Sequence, residues 1–349
     1  MIAADQPVQR PPQAKLLVVD ARRHIDHAPR TAFVEFLRPG DLVIANDAAT
    51  LPASLQGVHV ETGAAIEVRL VGRPSLKPED VTRFSAVVFG EGDYRTRTED
   101  RPPPPPFAAG DHLTLGPLHA TVERLLGHSR LLSLLFEGAP DEVWAGLARH
   151  GRPIQYAHLK TPLALWDVWT RIAGPPVAFE PPSAGFALDW HALAAMRERG
   201  VEFATITHAA GISSTGDDEL DHLLPFDEPY SIPAATAQAV RRAKERGRRV
   251  VAVGTSVVRA LEHAATGDGQ VRAGEGLATQ HIGPASRLRV VDAILSGTHE
   301  PGTSHYELLR AFLDDATLRR TSEELDAGGY RTHEFGDSVL IERVLRHKG

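Results

Sequence analysis

The sequence contains no cysteine, which excludes disulfides, thiolate catalysis and Cys-ligated zinc. No apolar run approaches the length that spans a bilayer, and residues 1–13 lack the apolar centre of a secretion signal. Both absences point to a cytoplasmic protein. An excess of positive charge is missing too. Lys and Arg number 38 against 45 Asp and Glu, a formal net charge of −7. Dedicated nucleic-acid binders are usually basic, so this balance counts against extensive phosphate contact. There is no Gly-x-Gly-x-x-Gly and no P-loop. Gly254-Thr255-Ser256-Val257-Val258 lacks the second glycine of a nucleophile elbow, which argues against a serine hydrolase. His299-Glu300 is followed by His305 at the wrong spacing for a zinc-binding helix, and Pro301 would break one. No metal is indicated by motif.

What is present begins with Val250–Glu262. Val250 to Val253 form an apolar run without a polar break, as in a strand buried on both faces. Gly254, Thr255 and Ser256 interrupt it. Val257, Val258, Ala260 and Leu261 then continue at helical spacing, with Arg259 and Glu262 on the other side. The pattern is strand, tight turn, helix, with Thr255 or Ser256 as a natural N-cap. Such a junction exposes free amides and the positive end of the helix dipole, a site for a carboxylate or phosphate.

The 349 residues suffice for two domains, and 42% apolar with 24% charged residues is ordinary for a globular chain. Leu16–Asp20 and Leu42–Ala45 are short apolar strands, the second ending at Asn46-Asp47. Between Val58 and Glu137 apolar and polar residues alternate, with Gly-rich turns, so an antiparallel β-barrel or sandwich is expected there. Asp141 is placed to cap a helix ending at His150. Trp166 and Trp169 read as packing residues. From about Gly151 strands alternate with helices, which calls for a mostly parallel sheet covered by helices. Leu288–Leu295 reads as a long strand, and Ser304 to Glu307 as a capping box. The expected architecture is α/β: residues 1–57 and 141–349 form one domain, and 58–140 an inserted barrel-like one. Ligands of such sheets bind beyond the carboxyl ends of the strands. Three of those ends carry His208, Thr255-Ser256 and His299.

The segment AVGTSVVRALE resembles the signature of the S-adenosylmethionine:tRNA ribosyltransferase-isomerases of queuosine biosynthesis. Leu42 to Asp47, Ser183-Ala184-Gly185, His299 with Pro301, and Phe335 to Ile341 also resemble that family's segments. The family carries a β-barrel inserted in an α/β domain. Its members move the ribosyl part of S-adenosylmethionine onto a 7-deazaguanine base in a tRNA anticodon, releasing adenine and methionine. The resemblance therefore implies S-adenosylmethionine as a substrate and a tRNA anticodon as a partner. Such chemistry needs a base near the C5′ protons and an acid for departing adenine, and neutral histidine suits either role. His208 and His299 are the catalytic candidates, with Glu228 third. Gly254, Thr255, Ser256, Arg259, Asn46, Asp47, Ser183 and Gly185 are the binding candidates. Several positions depart from the family pattern. Ala48-Ala49 replaces Thr-Arg, Ser54 replaces Arg and Ala187 replaces His, while Ala209 to Ser214 keeps only a hydroxyl. Two other readings stay open: a paralogue using S-adenosylmethionine with a small-molecule acceptor or none, and a non-catalytic binding protein on the same scaffold.

Overall fold

Val250–Val253 is wholly buried and lies inside a nine-stranded sheet, where apolar side chains are needed on both faces. The computed structural model describes residues 1–343. After a short strand at Ile2–Ala3, the large sheet's first strands are β1 (Lys15–Val19), β2 (Ile25–Pro29) and β3 (Leu42–Asn46). Six strands follow: β4 (Ser54–His59), β5 (Ala65–Gly72), β6 (Arg83–Phe89), β7 (His112–Leu115), β8 (Leu118–His128) and β9 (Leu131–Phe136). Helices α1 (Pro140–His150) and α2 (Trp190–Glu198) precede β10 (Glu202–His208) and β11 (Glu228–Ile232). Then come α3 (Ala234–Glu245), β12 (Val250–Val253), α4 (Thr255–Ala264), β13 (Gly274–Ala278) and β14 (Ala293–Gly297). Helices α5 (Ser304–Leu309) and α6 (Asp315–Ala327) lead to β15 (Ser338–Glu342).

Spatial order in the large sheet is β13-β11-β10-β3-β12-β14-β15-β1-β2. The four central strands β10, β3, β12 and β14 are parallel; β11 and β15 pair antiparallel on either side of them, β1 runs parallel to β15, and β13 and β2 pair antiparallel with β11 and β1 at the two edges. The carboxyl ends of the central four therefore open on one edge. Helix α4 covers one face, its Val257, Val258 and Leu261 packed with Ile44, Ala252 and Ile294. The other face takes Phe33, Leu188 and Met196 against Val43 and Val251.

Strands β4–β9 close into an antiparallel barrel in the order β8-β9-β6-β5-β4-β7. Ile66, Val68 and Leu70 point inward at the two-residue strand period, with Phe84, Val88 and Leu134. Their alternates on β5, Glu67 and Arg69, are also buried. Glu67 pairs with Arg69 at 2.8 Å and with Arg101. The Arg69 guanidinium lies 5.5 Å from the Tyr156 ring, in the segment returning from the barrel. Phe179 also joins the barrel core, edge-on to Phe84 at 6.1 Å.

Several local expectations change. The barrel begins at Ser54, inside the segment assigned to the first domain, because Leu55 already faces its core. Helix α1 packs on the barrel through Val143 and Leu147. Its N-cap is Ala139, whose amide donates to Glu142 Oε2 at 2.8 Å, and Asp141 sits in the first turn. Residues 288–292 are not strand. Glu262 takes the amides of Arg289, Val290 and Val291 at 2.7–2.9 Å, so no neighbouring strand receives them. Thr303, one residue before Ser304, caps α5. Trp166 and Trp169 are exposed, as is Trp190, with relative exposures of 76%, 40% and 68%. Tryptophan is seldom left in water without a partner.

Candidate functional site

A cleft opens beyond the carboxyl ends of β10, β3, β12 and β14, where sheets of this kind bind ligands. Glu180, Ser183, Gly211, Glu228, Gly254, Thr255, Ser256, Arg259, Ser296, His299 and His305 face it. Seven of these eleven are candidates from the sequence; Glu180, Gly211, Ser296 and His305 are not, and the candidates Gly185, Asn46, Asp47 and His208 do not line the cleft.

The floor is the start of α4. Gly254 is its N-cap at φ +95° and ψ 155°, and no side chain caps the helix. The expected Thr255 or Ser256 cap is thus replaced by a glycine turn, which leaves both hydroxyls unused for capping and half-exposed in the cleft. The Gly254 amide donates to Leu295 O at 2.8 Å. The amides of Thr255, Ser256 and Val257 precede the first intrahelical bond and point out of the helix. A Cβ on Gly254 would meet Ala184 Cβ at 3.5 Å and Ser256 Oγ at 3.7 Å, ordinary contacts, so space is available. The backbone angle is what excludes a side chain. Gly254→Ala is expected to lose about 1–3 kcal/mol of stability, read as a lower urea midpoint with an unchanged slope. An unchanged midpoint would mean that this turn relaxes freely.

Asn46 ties the strand ends together. Its Nδ2 donates to His208 O at 2.9 Å and its Oδ1 accepts the His208 amide at 2.9 Å. Nδ2 also lies 3.4 Å from Ser256 Oγ. Asp47 accepts from Thr207 Oγ1 at 2.7 Å and faces away from the cleft. Gly185 packs against Thr170, where a Cβ would come within 3.0 Å of Cγ2. These three hold the scaffold of the site.

His208 is completely buried and does not reach the cleft. Its Nε2 lies 3.4 Å from Glu228 Oε2, and burial lowers its pKa to about 4. It is neutral and sits behind Glu228. The Glu228 carboxylate is fixed two ways, by the Gly211 amide at 2.5 Å and by an ion pair with Arg259, while His208 lies beside it without a hydrogen bond. Arg259 is buried, not on an outer helix face as the helical spacing predicted. Besides Glu228 its guanidinium donates to Phe226 O at 2.8 Å, Ala278 O at 2.9 Å and Gln280 O at 3.0 Å. Four of its five N–H donors are engaged in this way, so it orients Glu228 and keeps one Nη1 N–H beside the cleft it lines.

His299 does face the cleft. Its Nε2 is 2.9 Å from Ser296 Oγ, and its ring stacks on His305 at 4.7 Å. Burial, with the neighbouring His305 and His333, holds its pKa well below the usual histidine value. Opposite stands Glu180, which sequence motifs did not reveal. Burial, then repulsion from Glu334, pushes its carboxyl up to about 7. The Tyr156 hydroxyl donates to it and also meets Ser214 O at 3.2 Å. A carboxyl group that holds its proton near neutrality, in a cleft, is the usual sign of acid–base work. The only signal in sequence is isolation: Glu180 is the single charge between Gly174 and Ala187.

Some departures from the family pattern meet each other. Ala48 and Ala209, from separate strand ends, pack with Val177 and Ala178 in one small apolar cluster.

A family model described as a queuosine biosynthesis protein matches residues 1–341. An S-adenosylmethionine:tRNA ribosyltransferase-isomerase from Moorella thermoacetica is 30% identical, aligned over 97% of this chain and 95% of its own. One from Citrifermentans bemidjiense is 33% identical over 97% and 96%. The crystal structure of an S-adenosylmethionine tRNA ribosyltransferase from Thermotoga maritima is similar over 97% of this chain and 96% of that chain. Its TM-score is 0.51 at 23% identity, which speaks to the fold.

Proposed function

Since the chain belongs to the queuosine biosynthesis protein family, we propose that its cleft binds S-adenosylmethionine and transfers the ribosyl part to a 7-deazaguanine base of a tRNA. In this reading adenine and methionine leave as the ribosyl part is transferred; the relatives' names give the donor, the tRNA acceptor and the transfer with isomerisation. One observation carries the reading: the uncapped N-terminus of α4 opens into a cleft ringed by Glu180, Glu228 and His299. The free amides and hydroxyls of Thr255 and Ser256 grip the polar end of the substrate, its carboxylate or a ribose hydroxyl. Glu180 donates a proton to departing adenine. Neutral His299, aligned by Ser296, accepts a proton from the carbon next to the sulfonium. Glu228, Arg259 and His208 hold the wall in place. Exposed Trp166, Trp169 and Trp190 offer π-faces on which unpaired bases of an RNA loop can stack, a contact that does not depend on net charge.

The test is adenine release from S-adenosylmethionine, followed by chromatography, with and without unmodified-ribose tRNA bearing the 7-aminomethyl-7-deazaguanine base. RNA-dependent release supports the proposal. Release that ignores RNA would favour a small-molecule acceptor or none, and absence of both binding and release would leave a non-catalytic binder. Thr255→Ala with Ser256→Ala should weaken S-adenosylmethionine binding about 10- to 100-fold for each charged hydrogen bond lost. Because Gly254 is the cap, the melting temperature should stay where it is. A double variant with full affinity would move the substrate's polar end elsewhere.

A further inference from the structure

Beside the cleft lies a second cluster of side chains to which the proposed reaction gives no direct part, although Glu334 and His333 act on the charge of Glu180 and His299. His158 sits in the loop that returns from the barrel, and His333 and Glu334 in the turn before β15. His158 Nε2 is 3.2 Å from Glu334 Oε2. The His158 and His333 rings are stacked 4.2 Å apart at 17°. One ligand atom from each of the three lies within 4.8 Å of the others. None is deeply buried, so an ion can enter from solvent.

An ion pair accounts for His158 with Glu334, but not for His333. No hydrogen-bond partner for its ring is found among the described residues. Its backbone nevertheless adopts φ +69°, a conformation uncommon for a residue with a Cβ. Such strain persists where the surroundings require it and clusters at ligand sites. The contrast with His59, Glu61 and Asp111 in the barrel is instructive. There both imidazole nitrogens are occupied, Nδ1 by Thr62 Oγ1 at 2.9 Å and Nε2 between Glu61 and Asp111 at 3.0 and 3.1 Å. That cluster is complete as an ion-pair network.

We propose that His158, His333 and Glu334 bind a divalent transition-metal ion of the zinc class. Two imidazoles and one carboxylate are a recognised donor set for Zn²⁺, with a fourth position left to water or substrate. Metal–ligand bonds of about 2.0–2.2 Å in a tetrahedron put ligand atoms roughly 3.3 Å apart. The His158–Glu334 pair already has that spacing, and a small closure of the exposed His333 turn brings in the third ligand. The ion would clamp the loop returning from the barrel to the turn before the last strand. Motif spacing gave no hint of it, since His158 and His333 are far apart in sequence.

The experiment is titration of chelator-treated full-length protein with ZnCl₂ by calorimetry, and with CoCl₂ by visible absorption. The expected result is one equivalent of Zn²⁺ bound and the intense Co²⁺ bands of a four-coordinate site. His333→Ala is exposed and should fold normally, checked by circular dichroism. It should lose affinity by more than the roughly 10- to 100-fold seen when only an outer-shell partner is removed. Glu334→Gln should do the same. No binding by the wild type would overturn the proposal. So would binding that survives both variants, or that is lost only in Asp111→Asn, which would place the ion in the barrel.

Discussion

Replacing Glu228 by alanine is expected to cost about 3–5 kcal/mol of stability, because it strands the buried Arg259 cation without its counter-charge. Burial of both groups decides the size of this effect. An exposed pair would contribute about 0–1 kcal/mol, but here Arg259 is 3% and Glu228 6% exposed. The same change frees the Gly211 amide and removes the carboxylate that His208 faces. Urea unfolding of Glu228→Ala, Arg259→Leu and the double variant checks the argument. The double variant should cost less than the sum of the singles, since a stranded charge is worse than none. Arg259 retains three backbone carbonyls in the Glu228 variant. A loss below about 1 kcal/mol would show that these carbonyls hold the cation unaided.

Glu180→Gln should lower the rate of adenine release by about 10²- to 10⁴-fold, the usual contribution of a general acid. The wild-type rate should fall as pH rises through about 7, the value to which burial pushes this carboxyl, and the variant should lack that limb. A second readout needs no substrate. The folded pKa of Glu180 lies above its usual 4.5, so the folded state binds the proton more tightly than the unfolded one. Its contribution to stability is present below pH 4.5 and lost as pH rises through about 7, by roughly 3 kcal/mol at most. His208 works in the opposite sense. Its pKa is lowered from 6.5 to about 4, so its contribution is present above pH 6.5 and lost as pH falls through about 4. The two opposing dependences overlap, and the wild type should show little net slope between pH 4.5 and 6.5 from this pair. Glu180→Gln should uncover the histidine's slope, with stability rising with pH. A variant whose rate and pH–stability curve match the wild type would remove Glu180 from the chemistry.

Much of the scaffold was legible because it is written in local periodicity. The apolar run Val250–Val253 followed by a glycine turn could only be a buried strand entering a helix, and alternation along Ile66–Leu70 marked the barrel. What failed was whatever a distant partner decides. Arg259 looked like the outer face of α4 because spacing separates apolar from polar residues and says nothing of a carboxylate arriving from β11. Residues 288–292 looked like strand because they are apolar, but Glu262 had claimed their amides. Thr255 and Ser256 looked like caps because their residue types favour it, and the conformation of Gly254 made a side-chain cap unnecessary. His208 was placed correctly at a strand end, yet only the third dimension shows Glu228 standing between it and the cleft. Glu180 carries no motif. Its perturbed proton comes from being enclosed beside Tyr156, which no window of sequence contains.

Phe179 and Glu180 are neighbours in the chain with different allegiances. The first is a brick of the barrel interior, and the second faces the reaction cleft. One peptide unit therefore joins two selective histories. A substitution that resizes the barrel around Phe84 would tilt Phe179 and carry the carboxyl with it. The insert is not a detachable module that can be swapped or trimmed while the enzyme's chemistry stays put. Sequence drift inside the barrel has to stay in step with the cleft, and exchange of barrels between relatives should succeed only when the segment around Phe179 travels with them.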